Sequence, residues 1–252
     1  MKPRRYRGPL SPPLAAARAR ALRALWSRTP PPTLEIGGFS LLLDPELPDP
    51  RPVLGYSPTA LLVDGMDPRP GEATLVLDAG SGWVSLAAAH AGATVTSLDP
   101  SPAAERCLRR SSLLAGLGDP DVRVGGLEQL AEDDTFGLIL WVPPQVADPS
   151  AGPDDRRAFA ERSRFTRVLK EARDRLGRGG RLLFPLPDRD ATPWLHEALT
   201  AHGFRFSTSR WVQSPVVGPA RLYACWPARD AAPGEVAGGP ALAGAAWVLK
   251  DR

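Results

Sequence analysis

The 252-residue sequence has few of the residues from which metal sites and disulfide frameworks are built. It contains two cysteines, Cys107 and Cys225, and three histidines, His90, His196 and His202. Two cysteines do not make a framework, and the spacing of His196 and His202 matches no ligand pair on a helical face. We therefore expect no metal and no need for an oxidising compartment, and we place the protein in the cytoplasm.

Long apolar runs are also missing. No stretch approaches the ~18 uninterrupted apolar residues of a membrane-spanning helix, so we expect no membrane association. Hydrophobic residues make up 43% of the chain and charged residues 23%, which is the balance of a soluble globular protein. This composition excludes a wholly disordered chain.

Acidic residues are absent from the beginning of the chain. Residues 1–34 carry eight basic side chains and no acid, so the remainder holds 23 basic and 28 acidic residues, a net charge of −5. A basic arm on an acidic body indicates a polyanionic partner such as RNA or the ribosome, because neutralised phosphates release counterions. A solubilising helix over residues 14–26 explains the arm equally well, and both interpretations stay open.

The chain divides into three segments. Residues 1–52 are predicted to form a basic N-terminal extension with a helix and a short β-hairpin that turns at Gly37 and Gly38. Residues 53–226 form the main domain. Residues 227–252 are rich in Ala, Gly and Pro and are predicted to be a tail.

Strands and helices alternate in the main domain. Apolar runs end at Asp78 and at Asp99, and each is followed by a turn and a helix-forming stretch. The run FGLILWV, residues 136–142, is typical of a buried central strand of a parallel sheet. A long helix closed by Gly177, Gly179 and Gly180 follows, and then a strand over 181–186, another helix and two strands of a terminal antiparallel hairpin. This order predicts an α/β fold with a doubly wound, mostly parallel sheet and right-handed crossovers.

The segment LDAGSG, residues 77–82, carries the most information about chemistry. It occupies the first strand-to-helix turn of the predicted domain, where ligands bind in doubly wound sheets. Gly80 and Gly82 let a ligand approach the backbone, and Ser81 lies between them. Asp99 follows Asp78 by 21 residues, at the end of the next strand, where a carboxylate can accept both hydroxyls of a ribose.

The identity of the ligand follows from Asp78. Dinucleotide sites have G-x-G-x-x-G, but Ser85 occupies the third place here. Asp78 would face a pyrophosphate unfavourably, whereas it could hold a cationic ligand through an amino group or an ordered water. This favours a ligand with ammonium and sulfonium groups over one with phosphates.

The residues VLDAGSG…SLD resemble the S-adenosylmethionine site of class I methyltransferases. The resemblance extends over about residues 50–226 and implies a seven-stranded, mostly parallel sheet with a terminal hairpin. It also implies that Asp78, Gly80, Ser81 and Gly82 line the methionine end of S-adenosylmethionine and that Asp99 holds its ribose.

A second part of the resemblance concerns the acceptor. VLGYSPTALLV, residues 53–63, is similar to the lead-in of HemK-like and small ribosomal-RNA methyltransferases, with Tyr56 and Thr59 as packing residues or ligands. WVPPQ, residues 141–145, is placed like their Asn-Pro-Pro-aromatic motif. This implies that Val142, Pro143 and Pro144 line the substrate side; a rigid loop after the strand is the alternative for the two prolines.

The sequence departs from the family pattern at four places. Val84 replaces the third glycine, and Gly126 stands near the usual adenine-binding acid, although Glu128 is close. Val142 replaces the Asn and Gln145 the aromatic residue, so a side-chain acceptor for a target nitrogen is missing and only backbone carbonyls remain. No residue is identified as a catalytic base.

The sequence thus predicts a methyltransferase that uses S-adenosylmethionine and methylates RNA or a ribosome-associated protein. The alternative is a catalytically silent protein of the same fold that binds RNA or the ribosome. A nicotinamide-dependent reductase is disfavoured by Asp78 and Ser85.

Overall fold

The computed structural model describes residues 33–47, 50, 57–143, 156–187, 193–208, 212–214 and 218–230. Residues 1–32 of the predicted basic arm, Tyr56, Pro144, Gln145 and residues 231–252 of the predicted tail lie outside these residues, whereas Pro227, the first residue of the predicted tail, ends β10. The helices are α1 (Pro58–Gly65), α2 (Trp83–His90), α3 (Pro102–Leu114), α4 (Arg156–Arg175) and α5 (Pro193–Ala201). The strands are β1 (Thr33–Ile36), β2 (Phe39–Leu42), β3 (Ala73–Leu77), β4 (Thr94–Asp99), β5 (Asp121–Val124), β6 (Phe136–Trp141), β7 (Leu176–Pro187), β8 (Phe204–Thr208), β9 (Val212–Ser214) and β10 (Gly218–Pro227).

Seven strands form a mixed sheet in the order β5-β4-β3-β6-β7-β10-β8, and β9 pairs with the beginning of β10. The first five are parallel to one another, whereas β10 runs antiparallel to both β7 and β8. The predicted mostly parallel sheet with a terminal antiparallel hairpin is confirmed. The second strand of that hairpin, β10, lies inside the sheet, because it pairs with β7 on its other side.

Helices cover both faces of the sheet, as the alternation of side chains along the central strands requires. Leu75 and Leu77 of β3 pack with residues of α4 and α5, such as Leu169 and Leu199. Val76, between them, points to the opposite face and joins a cluster with residues of α1 and α2. The sheet is therefore doubly wound, and its edge at the strand ends is free to hold loops.

Two helices begin as their sequences predict. Ser57 caps α1, accepting from the N–H of Ala60 at 3.3 Å, and Ser101 caps α3, accepting from the N–H of Ala103 at 3.2 Å. In both, proline occupies the first turn, where its missing N–H costs no hydrogen bond.

The strands β1 and β2 form the predicted short hairpin, with Ile36 and Phe39 paired across Gly37 and Gly38. Its inner side chains pack with Trp83 of α2 and Leu108 of α3. A Cβ at Gly37 would lie 2.9 Å from the indole Nε1 of Trp83, so only glycine allows this close approach.

The beginning of β7 differs from the sequence prediction, which ended the long helix at Gly177 and began the strand at residue 181. The strand instead begins at Leu176, opposite Phe136, and its register shifts before Arg181 pairs with Leu138. Gly179, at φ 72°, allows this irregular pairing. No helix in the described part of the chain is long and apolar enough to cross a membrane.

Candidate functional site

Asp78 and Asp99 lie at the ends of adjacent parallel strands. Leu77 and Leu98, which precede them, are direct partners in the ladder between β3 and β4. The N–H of Ala79 continues this pairing by donating to the carbonyl of Leu98 at 3.1 Å. The turn after β3 is therefore fixed against the end of β4 by the sheet itself.

The carboxylate of Asp99 holds the glycine turn. Its Oδ2 accepts the N–H of Gly80 at 2.8 Å, and its Oδ1 accepts the N–H of Ser101 at 2.8 Å. The residue is buried, and this burial raises the pKa of the Asp99 carboxyl against the opposing effect of the two N–H groups. Because a carboxylate oxygen has two lone pairs, each oxygen keeps the capacity to accept one more donor.

Three residues of the turn have left-handed backbones: Asp78 at φ 54°, Gly80 at φ 55° and Gly82 at φ 90°. Such a backbone is unusual for an aspartate and stores strain of about 1–3 kcal/mol, a pattern that is common at ligand sites. A Cβ at Gly80 would meet only the carbonyl oxygen of Asp78, at 3.9 Å, so the space beside Gly80 is open. A Cβ at Gly82 would instead lie 2.7 Å from Leu108, so this glycine is required by packing.

The residues around the glycines are buried. Ser81 is 5% exposed, and Ser85 accepts a hydrogen bond from Ser97 at 2.9 Å. Trp83 packs with the β1–β2 hairpin, and Val84 packs with α1 and β3. The side chains of Trp83 and Val84 therefore pack into the core. They leave the space beside Gly80 open.

Asp78 has side-chain partners that the sequence did not indicate. The indole Nε1 of Trp141 donates to Oδ2 at 2.8 Å, and the guanidinium of Arg164 donates to Oδ1 at 2.6 Å. Arg164 belongs to α4 and is 86 residues away in sequence, so no local motif predicts its contact with Asp78. Its side chain is 40% exposed and that of Asp78 25%, so the pair is accessible at the rim of the turn.

The predicted substrate residues follow β6 directly. Pro143 is buried, and Val142 is partly buried against the cluster that contains Leu61 and Val84. Pro144, the third predicted residue, lies outside the described part of the chain. The assignment of this loop to the substrate stays a prediction.

Other residues singled out from the sequence have mainly local partners. Glu128 is exposed and accepts the N–H of Gly126 at 2.6 Å, and Thr59 is partly buried in the first turn of α1. Cys107 and Cys225 are both buried and free. No group of three or more His, Cys, Asp or Glu side chains that could hold a metal ion occurs among the residues the structure describes.

Comparison with known proteins finds similarity in structure only. No family model and no curated protein sequence matches the chain. Among solved structures, the 16S rRNA methyltransferase RsmC of T. thermophilus, in complex with AdoMet and guanosine, is 24% identical with a TM-score of 0.56. The match covers 81% of this chain and 46% of that chain.

Two further matches have similar scores. The ribosomal protein L11 methylase of Lactobacillus delbrueckii subsp. bulgaricus is 18% identical over 67% of this chain and 76% of that chain, with a TM-score of 0.51. A methyltransferase of Pyrococcus furiosus is 18% identical over 83% of this chain and 95% of that chain, with a TM-score of 0.53. At this level of identity the likeness shows the fold: the chain has the fold of class I S-adenosylmethionine-dependent methyltransferases.

Proposed function

We propose, starting from this fold, that the protein binds S-adenosylmethionine at the turn after β3 and transfers its methyl group to RNA or to a ribosome-associated protein. The observation that carries the proposal is the coupling of Asp99 to the glycine turn. One carboxylate both fixes the N–H of Gly80 and keeps free acceptor capacity beside the open space at that glycine.

The residues present fit the cofactor. A ribose offers two hydroxyl donors, which match the remaining acceptor sites of Asp99. The space beside Gly80 is open, so a ligand can approach the backbone there, where a side chain would be in its way. We assign Asp78, Gly80, Ser81, Gly82 and Asp99 to cofactor binding.

The ion pair of Asp78 and Arg164 supports the placement of the methionine end. An α-amino acid carries an ammonium and a carboxylate on neighbouring atoms, and this pair presents one charge of each sign side by side. Asp78 would accept from the ammonium and Arg164 would donate to the carboxylate. A pyrophosphate carries only negative charge and would be repelled by Asp78, which argues against a dinucleotide.

When bound, S-adenosylmethionine supplies a methyl group that its sulfonium already activates for direct displacement. The protein's own task is to align the acceptor with this group and to keep water out. Asp78 and Asp99 would hold the cofactor so that an acceptor could take the methyl group by direct displacement. The electron pair of the carbon–sulfur bond would stay on sulfur, and the acceptor's proton would pass to bulk water once the site reopened. We propose Val142, Pro143 and Pro144 as the residues that line the acceptor side.

Calorimetric titration tests the cofactor directly. We expect S-adenosylmethionine and S-adenosylhomocysteine to bind with micromolar dissociation constants, and a nicotinamide dinucleotide not to bind. If neither sulfur compound binds below millimolar concentration, the proposed function is wrong.

The acceptor is tested separately, with S-adenosylmethionine carrying a labelled methyl group and with ribosomal RNA or ribosomal proteins as substrates. Label in either supports methyl transfer and identifies the acceptor class. Cofactor binding and RNA binding without any label transfer would instead support the silent RNA- or ribosome-binding protein.

A further inference from the structure

Positive charge is concentrated in helix α4. The helix carries eight basic and three acidic residues over its 20 positions. Outside α4 and the first 34 residues, the chain holds 15 basic and 25 acidic residues, a net charge of −10. The basic arm is therefore not the only cationic element of an otherwise acidic protein.

Three cations of α4 line a groove. A cavity of about 560 Å³ lies between α4 and the end of α5, and no acid is among its lining residues, Arg162, Ser163, Thr166, Arg167, Lys170 and His202. The α4 members recur at intervals of three and four residues and so share one helical face. Phe165, Val168 and Leu169 occupy the buried face instead. The groove offers guanidinium, ammonium and hydroxyl donors, which are the groups that bind phosphate oxygens.

Neighbouring charges leave this face positive. Asp174, one turn beyond Lys170, lies 3.4 Å from Arg173, which offsets its charge. Arg167 helps to lower the pKa of the Glu128 carboxyl, after the N–H groups that bind it, so Arg167 lies near the loop after β5. Glu171 is partly buried on the flank of the helix.

An aromatic ring borders the groove. The guanidinium carbon of Arg162 lies 5.4 Å from the centroid of the Trp194 ring in α5, and Trp194 is only partly buried. Cations interleaved with an accessible aromatic ring are typical of surfaces that bind single-stranded nucleic acid, because the ring and the guanidinium plane stack on bases.

The groove and the candidate site share helix α4. Arg164, on the same helix, reaches Asp78 at 2.6 Å, and Lys170 lies about 9 Å farther along the helix axis. Arg162, which lines the groove, lies two residues before Arg164 in the same helix.

We propose that this groove binds the backbone phosphates of a single-stranded RNA. The identification of this RNA as the acceptor rests on the proposed function, but phosphate binding by the groove does not. The groove adds a second contact surface to the basic arm.

Fluorescence anisotropy with a labelled single-stranded RNA of about 12 nucleotides tests the groove in the full chain. We expect R167Q/K170Q to weaken binding at low salt and to reduce the slope of log K against log salt by about 1.4, about 0.7 for each lost phosphate contact. The matched control is R69Q/R110Q, which removes the same charge from two exposed arginines that do not line the groove. Its slope should change by less than half as much.

An unchanged slope for R167Q/K170Q overturns the proposal, as does an equal loss for both double variants. A groove-dependent interaction with anionic phosphatidylserine vesicles in the absence of RNA binding also overturns it. Calorimetry with S-adenosylhomocysteine, the product left when S-adenosylmethionine loses its methyl group, separates the two proposals. Failure of the wild type to bind this compound rejects the proposed function, whereas the proposal for the groove is still decided by the salt slopes.

Discussion

Replacement of Asp99 by alanine is the most direct test of the site. In the proposed complex the carboxylate accepts ribose hydroxyls, and a hydrogen bond to a charged group contributes about 1.5–3 kcal/mol. Losing one such bond weakens binding by about 10- to 100-fold. We expect the dissociation constant for S-adenosylhomocysteine, measured by calorimetry, to rise at least about tenfold in Asp99→Ala.

The same change affects folding, and the structure allows this effect to be separated. The N–H groups of Gly80 and Ser101 lose their acceptor, which costs about 1–3 kcal/mol for each group that water does not reach. The unfolding midpoint should fall by about 2–4 °C per kcal/mol for a domain of this size. Calorimetry is therefore done well below the midpoint of the variant.

Asp121 provides the control. It begins β5, and its carboxylate accepts from Thr96 at 3.0 Å and from Arg123 at 2.9 Å, at the opposite end of the strands from the site. Asp121→Ala should lower stability and leave affinity unchanged. Unchanged affinity in Asp99→Ala would refute the placement of the ribose, and an equal loss in both variants would assign the effect to general disruption of the sheet.

Three further predictions concern pH, the glycine turn and a partly buried ion pair. Burial raises the pKa of the Asp99 carboxyl above its ordinary value of 3.8. Affinity for S-adenosylhomocysteine should therefore fall as the pH is lowered through that raised pKa, because the protonated carboxyl loses acceptor capacity. A pH profile of affinity identical to that of Asp99→Ala would contradict this. Gly80→Ala should abolish cofactor binding with about 1–2 kcal/mol of backbone strain, whereas Gly82→Ala should lower the free energy of unfolding further, because its Cβ meets a buried leucine at 2.7 Å; equal midpoints in urea would refute the distinction. Arg181→Leu should cost about 1–3 kcal/mol of stability, since the partly buried Glu72 carboxylate loses the guanidinium that it binds at 2.7 Å and keeps only the N–H of Arg69; a loss below about 0.5 kcal/mol in urea unfolding would show that the pair is dispensable.

Much of the fold could be predicted from local patterns. The strands ending near Asp78 and Asp99 are short apolar runs, and the helices after them begin at a glycine turn and at Ser101-Pro102. Such signals depend on neighbouring residues, so the chain order alone carries them. The beginning of β7 was misjudged, because glycines ordinarily end a helix and here lie inside an irregular strand.

The candidate site was predictable only in part. The proximity of the glycine turn and Asp99 was predictable, because a parallel sheet brings the ends of neighbouring strands together. Asp78 was interpreted as a carboxylate available to a cationic ligand, but it meets Trp141 and Arg164. Neither partner has a motif that ties it to Asp78.

The sequence by itself determined the alternation of strands and helices, the glycine turn and the pairing of two aspartates at neighbouring strand ends, because these follow from local periodicity and from the geometry of parallel strands. Only the tertiary structure decided which side chains meet Asp78 and where the cations of α4 gather. Those contacts join residues more than 60 positions apart, or helices from separate crossovers, and exist only once both faces of the sheet are packed.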